Sequence, residues 1–336
     1  MQSYTYSSKR KVACLFFLFL LIVVFAGLDL MLGSYDFKSN PLLISKVLSK
    51  LDFIVLYKLR LPKTLTAIAV GAALGMSGFC FQTILKNPIA NPFTLGISSA
   101  ASCGAALSII SGFPFIYPAF NTMLSSIFFS LLCTSLMLFA LIRKKLDARL
   151  MILFGVTLNF FFLACQSLLQ YMADEKQSQQ IIHWIFGSIQ RASWFSVISI
   201  FISFFLIFFL LLAKAWDLNL LSLSDDQAQS LGLNVNRSRT FFFFSCSIVT
   251  AIAISHVGTI GFIGLLSPHL SRHLLGSDAR FSLVGSSLCG SLILLLACIL
   301  AKMLVPGGIL PVGIITNILG VPFMALIVFG RGKKWH

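Results

Sequence analysis

Acidic residues are nearly missing from this chain. Aspartate and glutamate together number 10 among 336 residues, and Glu175 is the single glutamate, which leaves little material for paired-carboxylate chemistry. No G-x-x-x-x-G-K-[ST] stretch occurs, so nucleotide hydrolysis through a phosphate loop is excluded. The eight cysteines lie in or beside apolar runs and form no C-x-x-C pair. They read as small buried hydrophobes, and neither a disulfide framework nor a metal centre is expected. Ion-coupled carriers ordinarily keep ionisable groups inside the membrane, and here Asp29 is the one acidic candidate. A membrane enzyme would need clustered histidines or carboxylates at one interface; only isolated ones occur.

What the sequence has is apolar surface. Hydrophobic residues make up 58% and charged residues 10%, with a mean hydropathy of +0.95; ordinary soluble domains carry about 25% charged residues. The expected class is therefore an all-α, polytopic helical membrane protein with about ten transmembrane helices forming a single domain over residues 1–336. Lys9, Arg10 and Lys11 precede an apolar run from Val12 to Leu28 that is longer than a signal core and has no small-x-small site after it, so it reads as an uncleaved first span. Further spans are expected at about 64–85, 93–110, 119–142, 150–172, 193–213, 240–257, 260–275, 281–304 and 310–329. A short surface helix is expected from Asn40-Pro41. Another, interfacial, is expected within 173–191, where Trp184 and Phe186 suit an aromatic belt and His183 sits beside them.

Ten spans put both termini on one side. Assigning them to the cytoplasm places 16 of the 25 Lys and Arg residues inside and nine outside, six of the nine crowded between Lys38 and Lys63. The bias favours cytoplasmic ends. With a net charge of +15 explained by membrane sidedness, no nucleic-acid partner is expected.

The organising stretch is Leu59 to Ser99. Arg60 and Lys63 bracket Pro62, and no charge follows from Thr64 to Leu85. Gly71, Gly75 and Gly78 leave one face of this span nearly bare, the kind of face on which helix backbones pack closely inside lipid. The helix should stop at Lys86, because Asn87-Pro88 and Asn91-Pro92 remove donors and bias the preceding residues out of the helical region. The broken segment reads either as the wall of a water-filled path or as an ordinary loop. A path would be lined by Gly71 and Gly75, by Asn87, Pro88, Ile89 and Asn91, and by Asn159 and Gln166, which are seven apart and share a helix face with Gln170 nearby. The last three could equally be interhelical hydrogen-bonding groups.

In the hydrophilic stretch 214–239, SDDQAQSLG reads as a two-turn helix. Ser224 and Gln227 make a capping box, Asp225 and Asp226 occupy the first turn, and Gly232 terminates it. Ala228 and Leu231 are expected on one face, suited to a shallow groove on a partner. His269 and His273 are one turn apart but lack a third ligand, so helix-end packing is preferred to metal binding.

RLPKTLTAIAVGAALGMSG followed by NPIANPFTLGISS, then GTIGFIGLLSPHLSRHLLGSDAR and PGGILPVGIITNILGVPF, resembles the FecCD type of permease from ATP-driven importers of ferric siderophores, haem and cobalamin. The resemblance covers most of the chain. It implies a cobalamin-importer-permease-like fold in a bacterial inner membrane and a homodimer or a paired permease. It also implies two cytoplasmic ATPase subunits that carry ATP and magnesium, and a periplasmic binding protein. By that likeness Ala228, Gln229, Ser230, Leu231 and Gly232 form a coupling helix on the ATPase, within a coupling loop 214–239. Arg60, Lys63 and Lys302 would receive carboxylates of the binding protein, with lysine at two positions where relatives use arginine. Ile309 departs from the glutamate many relatives carry before LPVG. The implied function is import of an iron chelate, a ferric siderophore foremost; haem or cobalamin import, and more remotely a self-powered carrier, are the alternatives. No cofactor bound by this chain is expected.

Overall fold

The computed structural model describes residues 2–32, 53–112, 118–144, 148–305 and 310–329. The expected surface helix near Asn40, the departure at Ile309 and the basic tail from Arg331 lie outside them. Among the described residues there are thirteen α-helices and no strand. They are α1 Gln2–Met31, α2 Leu61–Ile84, α3 Ile97–Ser111, α4 Pro118–Lys144, α5 Ala148–Met172, α6 Glu175–Ile185, α7 Trp194–Ala213, α8 Ala215–Leu221, α9 Asp225–Ser230, α10 Val235–Val257, α11 Ile263–Leu275, α12 Ala279–Leu304 and α13 Val312–Phe329.

Each of the ten stretches expected to span is helical. Among the described residues, seven helices are long and apolar enough to cross a membrane; α3, α11 and the described apolar part of α13 are shorter. The chain is therefore a multi-pass helical membrane protein. Its ends are called lower, where α1 begins, and upper, where α1 finishes.

A helix sits at the centre because it lacks side-chain bulk. From Val70 to Leu85 every residue of α2 and its cap is buried, and α2 packs on α12, α10, α11 and α7. A Cβ on Gly71 would lie 2.4 Å from the Gly290 carbonyl oxygen, one on Gly75 2.1 Å from the Ser286 carbonyl oxygen, and one on Gly78 1.8 Å from the Gly264 carbonyl oxygen. Backbones touch at all three points, so glycine is what lets α2 approach α12 and α11. Serines finish the seam: Ser291 donates to the Ile68 carbonyl at 2.8 Å, and Ser77 to the Cys246 carbonyl at 3.3 Å. Peripheral helices carry their large side chains outward instead, as with Phe16, Phe17 and Phe19 on α1 and Phe209 on α7.

Two irregular stretches enter this bundle. A π-helical turn, Val55–Arg60, feeds α2 from above. Between α10 and α11 the chain is non-helical over residues 258–262, with Gly258 at φ +79 and Phe262 at φ +64. Neighbouring backbone absorbs part of its hydrogen bonding: Ser188 N–H donates to the Val257 carbonyl at 2.7 Å, and the Thr259 hydroxyl donates to the Ile185 carbonyl. Non-helical chain at membrane depth persists where protein surrounds it in this way.

The amphipathic segment 173–191 forms α6 with a capping box between Asp174 and Gln177. Trp184 does not stand in an interfacial belt. It is 3% exposed and packs in the core, while Phe186 is 44% exposed; the Trp184 backbone carbonyl lies against Gly258, where a Cβ would fall. His183 faces outward.

Candidate functional site at the two ends of the central helix

At the upper end the three expected docking cations are not free side chains. Arg60 is buried, 8% exposed, and its Nη1 donates to the carbonyls of Leu30 at 2.7 Å and Met31 at 3.1 Å. It closes the carbonyl end of α1, where a cation is favoured, so two of its contacts serve the fold. Lys302 Nζ donates to Asp29 Oδ1 at 2.6 Å and to the Asp29 carbonyl at 2.7 Å, and the Thr64 hydroxyl donates to Asp29 Oδ2 at 2.6 Å. Asp29 is 2% exposed. Lys302 is thus the counter-ion that lets this carboxylate stay buried, and the acid noted for ion coupling is locked in a pair. Lys63 is half-buried and donates to Gln190 Oε1 at 2.5 Å. A small pocket opens between these groups, lined by Asp29, Lys63, Gln190, Lys302 and apolar neighbours.

The residues expected to line a path are not brought together. Gly71 and Gly75 face α12 at backbone contact, as described above, because small residues serve packing there. Gln166, 6% exposed, accepts from the Ser102 hydroxyl at 2.7 Å and so joins α5 to α3. Asn87 Oδ1 accepts from Ile89 N–H at 2.9 Å, and Asn91 Oδ1 from Phe93 and Thr94 N–H at 2.8 and 3.0 Å. Both asparagines hold the turn after α2 in shape; Pro88 and Ile89 are exposed at the lower end, and Asn91 is buried. Asn159 lies against Gly96, and its Oδ1 is buried without a partner among the described residues.

At the lower end the expected short helix forms as α9. Gln227 N–H donates to Ser224 Oγ at 3.3 Å and Ser224 N–H to Gln227 Oε1 at 3.2 Å, completing the capping box. Gly232 ends it at φ +86, with Leu233 N–H reaching back to the Ala228 carbonyl at 3.1 Å. The stretch 214–239 is not a loop: α8, α9 and the first turn of α10 occupy much of it. Ala228 and Leu231 do not share an outer face either. Ala228 is 1% exposed and belongs to the core, whereas Leu231 is 61% exposed, because α9 turns its alanine toward the bundle. Gln229, Ser230 and Gly232 are exposed beside Leu231.

Sequence reasoning missed what fixes α9 to the bundle. Asp225 Oδ1 accepts from Lys86 Nζ at 2.6 Å, and Arg239 Nη2 donates to Asp225 Oδ1 and Oδ2 at 3.1 and 3.2 Å. Arg239 is 2% exposed, and its Nε reaches the Ile84 carbonyl at 3.2 Å. Burial works against ionisation of Asp225, but the Lys86 hydrogen bond and the charges of Arg239 and Lys86 outweigh it and hold the carboxyl below its usual range. Close by, Arg272 donates from Nη1 to Gln82 Oε1 at 2.6 Å and from Nη2 to Thr83 Oγ1 at 3.3 Å, with its guanidinium 5.1 Å from the Phe79 ring centre. The only hint in the sequence was that Lys86, Asp225, Arg239 and Arg272 are charges in a chain that carries few.

A bundle with a glycine-seamed central helix, buried polar anchors at both ends and an exposed short helix below is that of a polytopic membrane protein. Residues 18–330 match the FecCD transport family. The chain belongs to that family of ABC transporter permease subunits. It is 38% identical over 291 residues to a Helicobacter pylori (strain J99) permease assigned to iron chelatin transport, covering 86% of each chain. It is 36% identical over 282 residues to the hemin transport permease of Yersinia pestis, covering 82% of this chain and 83% of that one. A solved transporter assigned to the metal-chelate type of ABC transporters, in an inward-facing conformation, superposes with a TM-score of 0.85 at 33% identity, covering 95% of this chain and 99% of that one.

Proposed function

We propose that this chain is the membrane-spanning subunit of an ATP-driven importer that carries an iron chelate, a ferric siderophore foremost, across a bacterial inner membrane with both termini in the cytoplasm. The observation that carries the reading is α9: a capped helix at the lower end, anchored by ions to the central helix and presenting Leu231 outward. Such an element suits a separate ATPase as its seat, and the chain contains no phosphate loop of its own. In the full reading the permease pairs with a second copy or a related chain and two ATPase subunits press on the α9 helices. A binding protein delivers cargo above, where Lys63 remains the cation best placed to attract an acidic surface.

Cargo chemistry follows from the relatives, which are named for different chelates, iron chelatin and hemin among them. The iron siderophore reading agrees with an interior in which no cluster of His, Cys, Asp or Glu gathers as a tight ligand set among the described residues. The test is uptake into vesicles holding this chain with the ATPase and binding protein encoded beside it. A labelled ferric catecholate should accumulate only with ATP inside the ATPase compartment. Accumulation of haem or cobalamin in its place assigns the cargo to that alternative.

A further inference from the structure

The lower end of α2 is a concentration of positive charge in an awkward place. The last carbonyls of a helix carry the negative end of its dipole and need donors, and here they receive cations. Arg239 reaches the Ile84 carbonyl, and Arg272 adds a second guanidinium beside it by donating to the Gln82 and Thr83 side chains of the same turn. Lys86 is forced to φ +48 as the chain leaves the helix, a left-handed conformation that a non-glycine residue keeps only when its surroundings insist. Directly after it comes the Asn87–Thr94 turn.

One described carboxylate answers this cluster, and it belongs to another element. Asp225 stands in the first turn of α9 and touches both Lys86 and Arg239. Arg239 is 2% exposed, so its charge depends on that partner; a buried cation deprived of its anion is far less stable than the pair. Ala228 meanwhile seats the body of α9 against the core. Displacing α9 without displacing the end of α2 would strand the guanidinium. The two elements are therefore obliged to move together, although 139 residues separate Lys86 from Asp225 in sequence.

We propose that Asp225 is a positioning residue that ties α9 to the Lys86–Thr94 segment through Arg239 and Lys86, so that force applied to α9 reaches the foot of the central helix. The segment so moved contains the two Asn-Pro breaks, and its amides form a chain of local bonds that a shift would open: Ala90 N–H to the Asn87 carbonyl, Leu95 N–H to the Asn91 carbonyl and Ile97 N–H to the Pro92 carbonyl. The tie is electrostatic and short. Asp225 keeps 43% of its side chain open, which leaves room for the small relative rotations a push from below would produce. This inference rests on the reading that an ATPase seats on α9, and it adds the route taken from there.

The test is backbone hydrogen exchange, read peptide by peptide, on the permease–ATPase complex with and without ATP plus vanadate. In the unaltered complex, nucleotide should change exchange both at 225–232 and at 86–97. In Asp225→Asn, which keeps shape and removes charge, the change at 225–232 should persist and the change at 86–97 should vanish. Lys86→Met, at a partly open side chain that can be lost without unfolding, should weaken the second change alone, and Asp225→Glu should restore it. A response at 86–97 that survives in Asp225→Asn overturns the proposal. Failure of Asp225→Asn to assemble with the ATPase also overturns it, since Asp225 would then belong to the docking face. No response at 225–232 in the unaltered complex refutes the ATPase seat itself, a failure distinct from loss of the tie.

Discussion

At the scale of single residues, the ionic groups of this chain are structural anchors before they are anything else. Asp29 and Lys302 lie 273 residues apart and meet at 2.6 Å, with Asp29 almost fully buried. Removing one partner leaves the other desolvated, which costs about 3–5 kcal/mol for a buried pair; Lys302 keeps 27% of its side chain open, so the low end applies. Lys302→Met should therefore lower the unfolding midpoint in detergent well below that of the parent. The double variant Lys302→Met with Asp29→Asn should recover part of the loss, a coupling that a double-mutant cycle reads directly. Additive losses would show the pair to be idle. None of this pairing was legible in the sequence, because charge position along a span says nothing about which distant helix brings the counter-ion. Arg60 shows the same limit: a cation beside proline at a span boundary looks like a surface group, and only the fold shows the α1 carbonyls it closes.

At the scale of elements, the sequence was far more informative, since helices inside lipid announce themselves by length and composition. All ten expected spans are helices, and the capping box at Ser224 and Gln227 and the stop at Gly232 stand where their residue types require. The glycine face of α2 was also recognised as a packing face, and α12 and α11 fill it at Gly71, Gly75 and Gly78. Gly71→Ala should drive Cβ into the Gly290 carbonyl and cost about 1–3 kcal/mol as overpacking does. Gly112→Ala, where nothing lies within 4 Å of the added carbon but φ is +56, should cost no more than backbone strain. Equal effects of the two in a thermal unfolding series would argue against backbone contact as the source of the seam. For α9, helical spacing alone placed Ala228 beside Leu231, and tertiary burial separated them. Leu231→Asp, at an exposed side chain, should leave the permease folded and sharply reduce its co-purification with the ATPase; unchanged co-purification and uptake would remove α9 from the interface.

At the scale of the molecule, the design is a rigid centre with addresses at both ends. The central helix touches α12, α10, α11 and α7, and its two ends are held by separate polar clusters: Asp29, Thr64 and Lys302 above, and Lys86, Asp225, Arg239 and Arg272 below. A body built this way has neither a phosphate loop in its sequence nor a free intramembrane acid among its described residues, which agrees with the separate motor proposed above. The direct measurement is solute accumulation in liposomes containing this chain alone, with a labelled ferric chelate outside and an imposed proton or sodium gradient. A separate motor predicts no uphill movement under any gradient and concentrative uptake only after the ATPase, binding protein and ATP are added. Concentrative uptake by the lone chain, driven by an ion gradient, would contradict it.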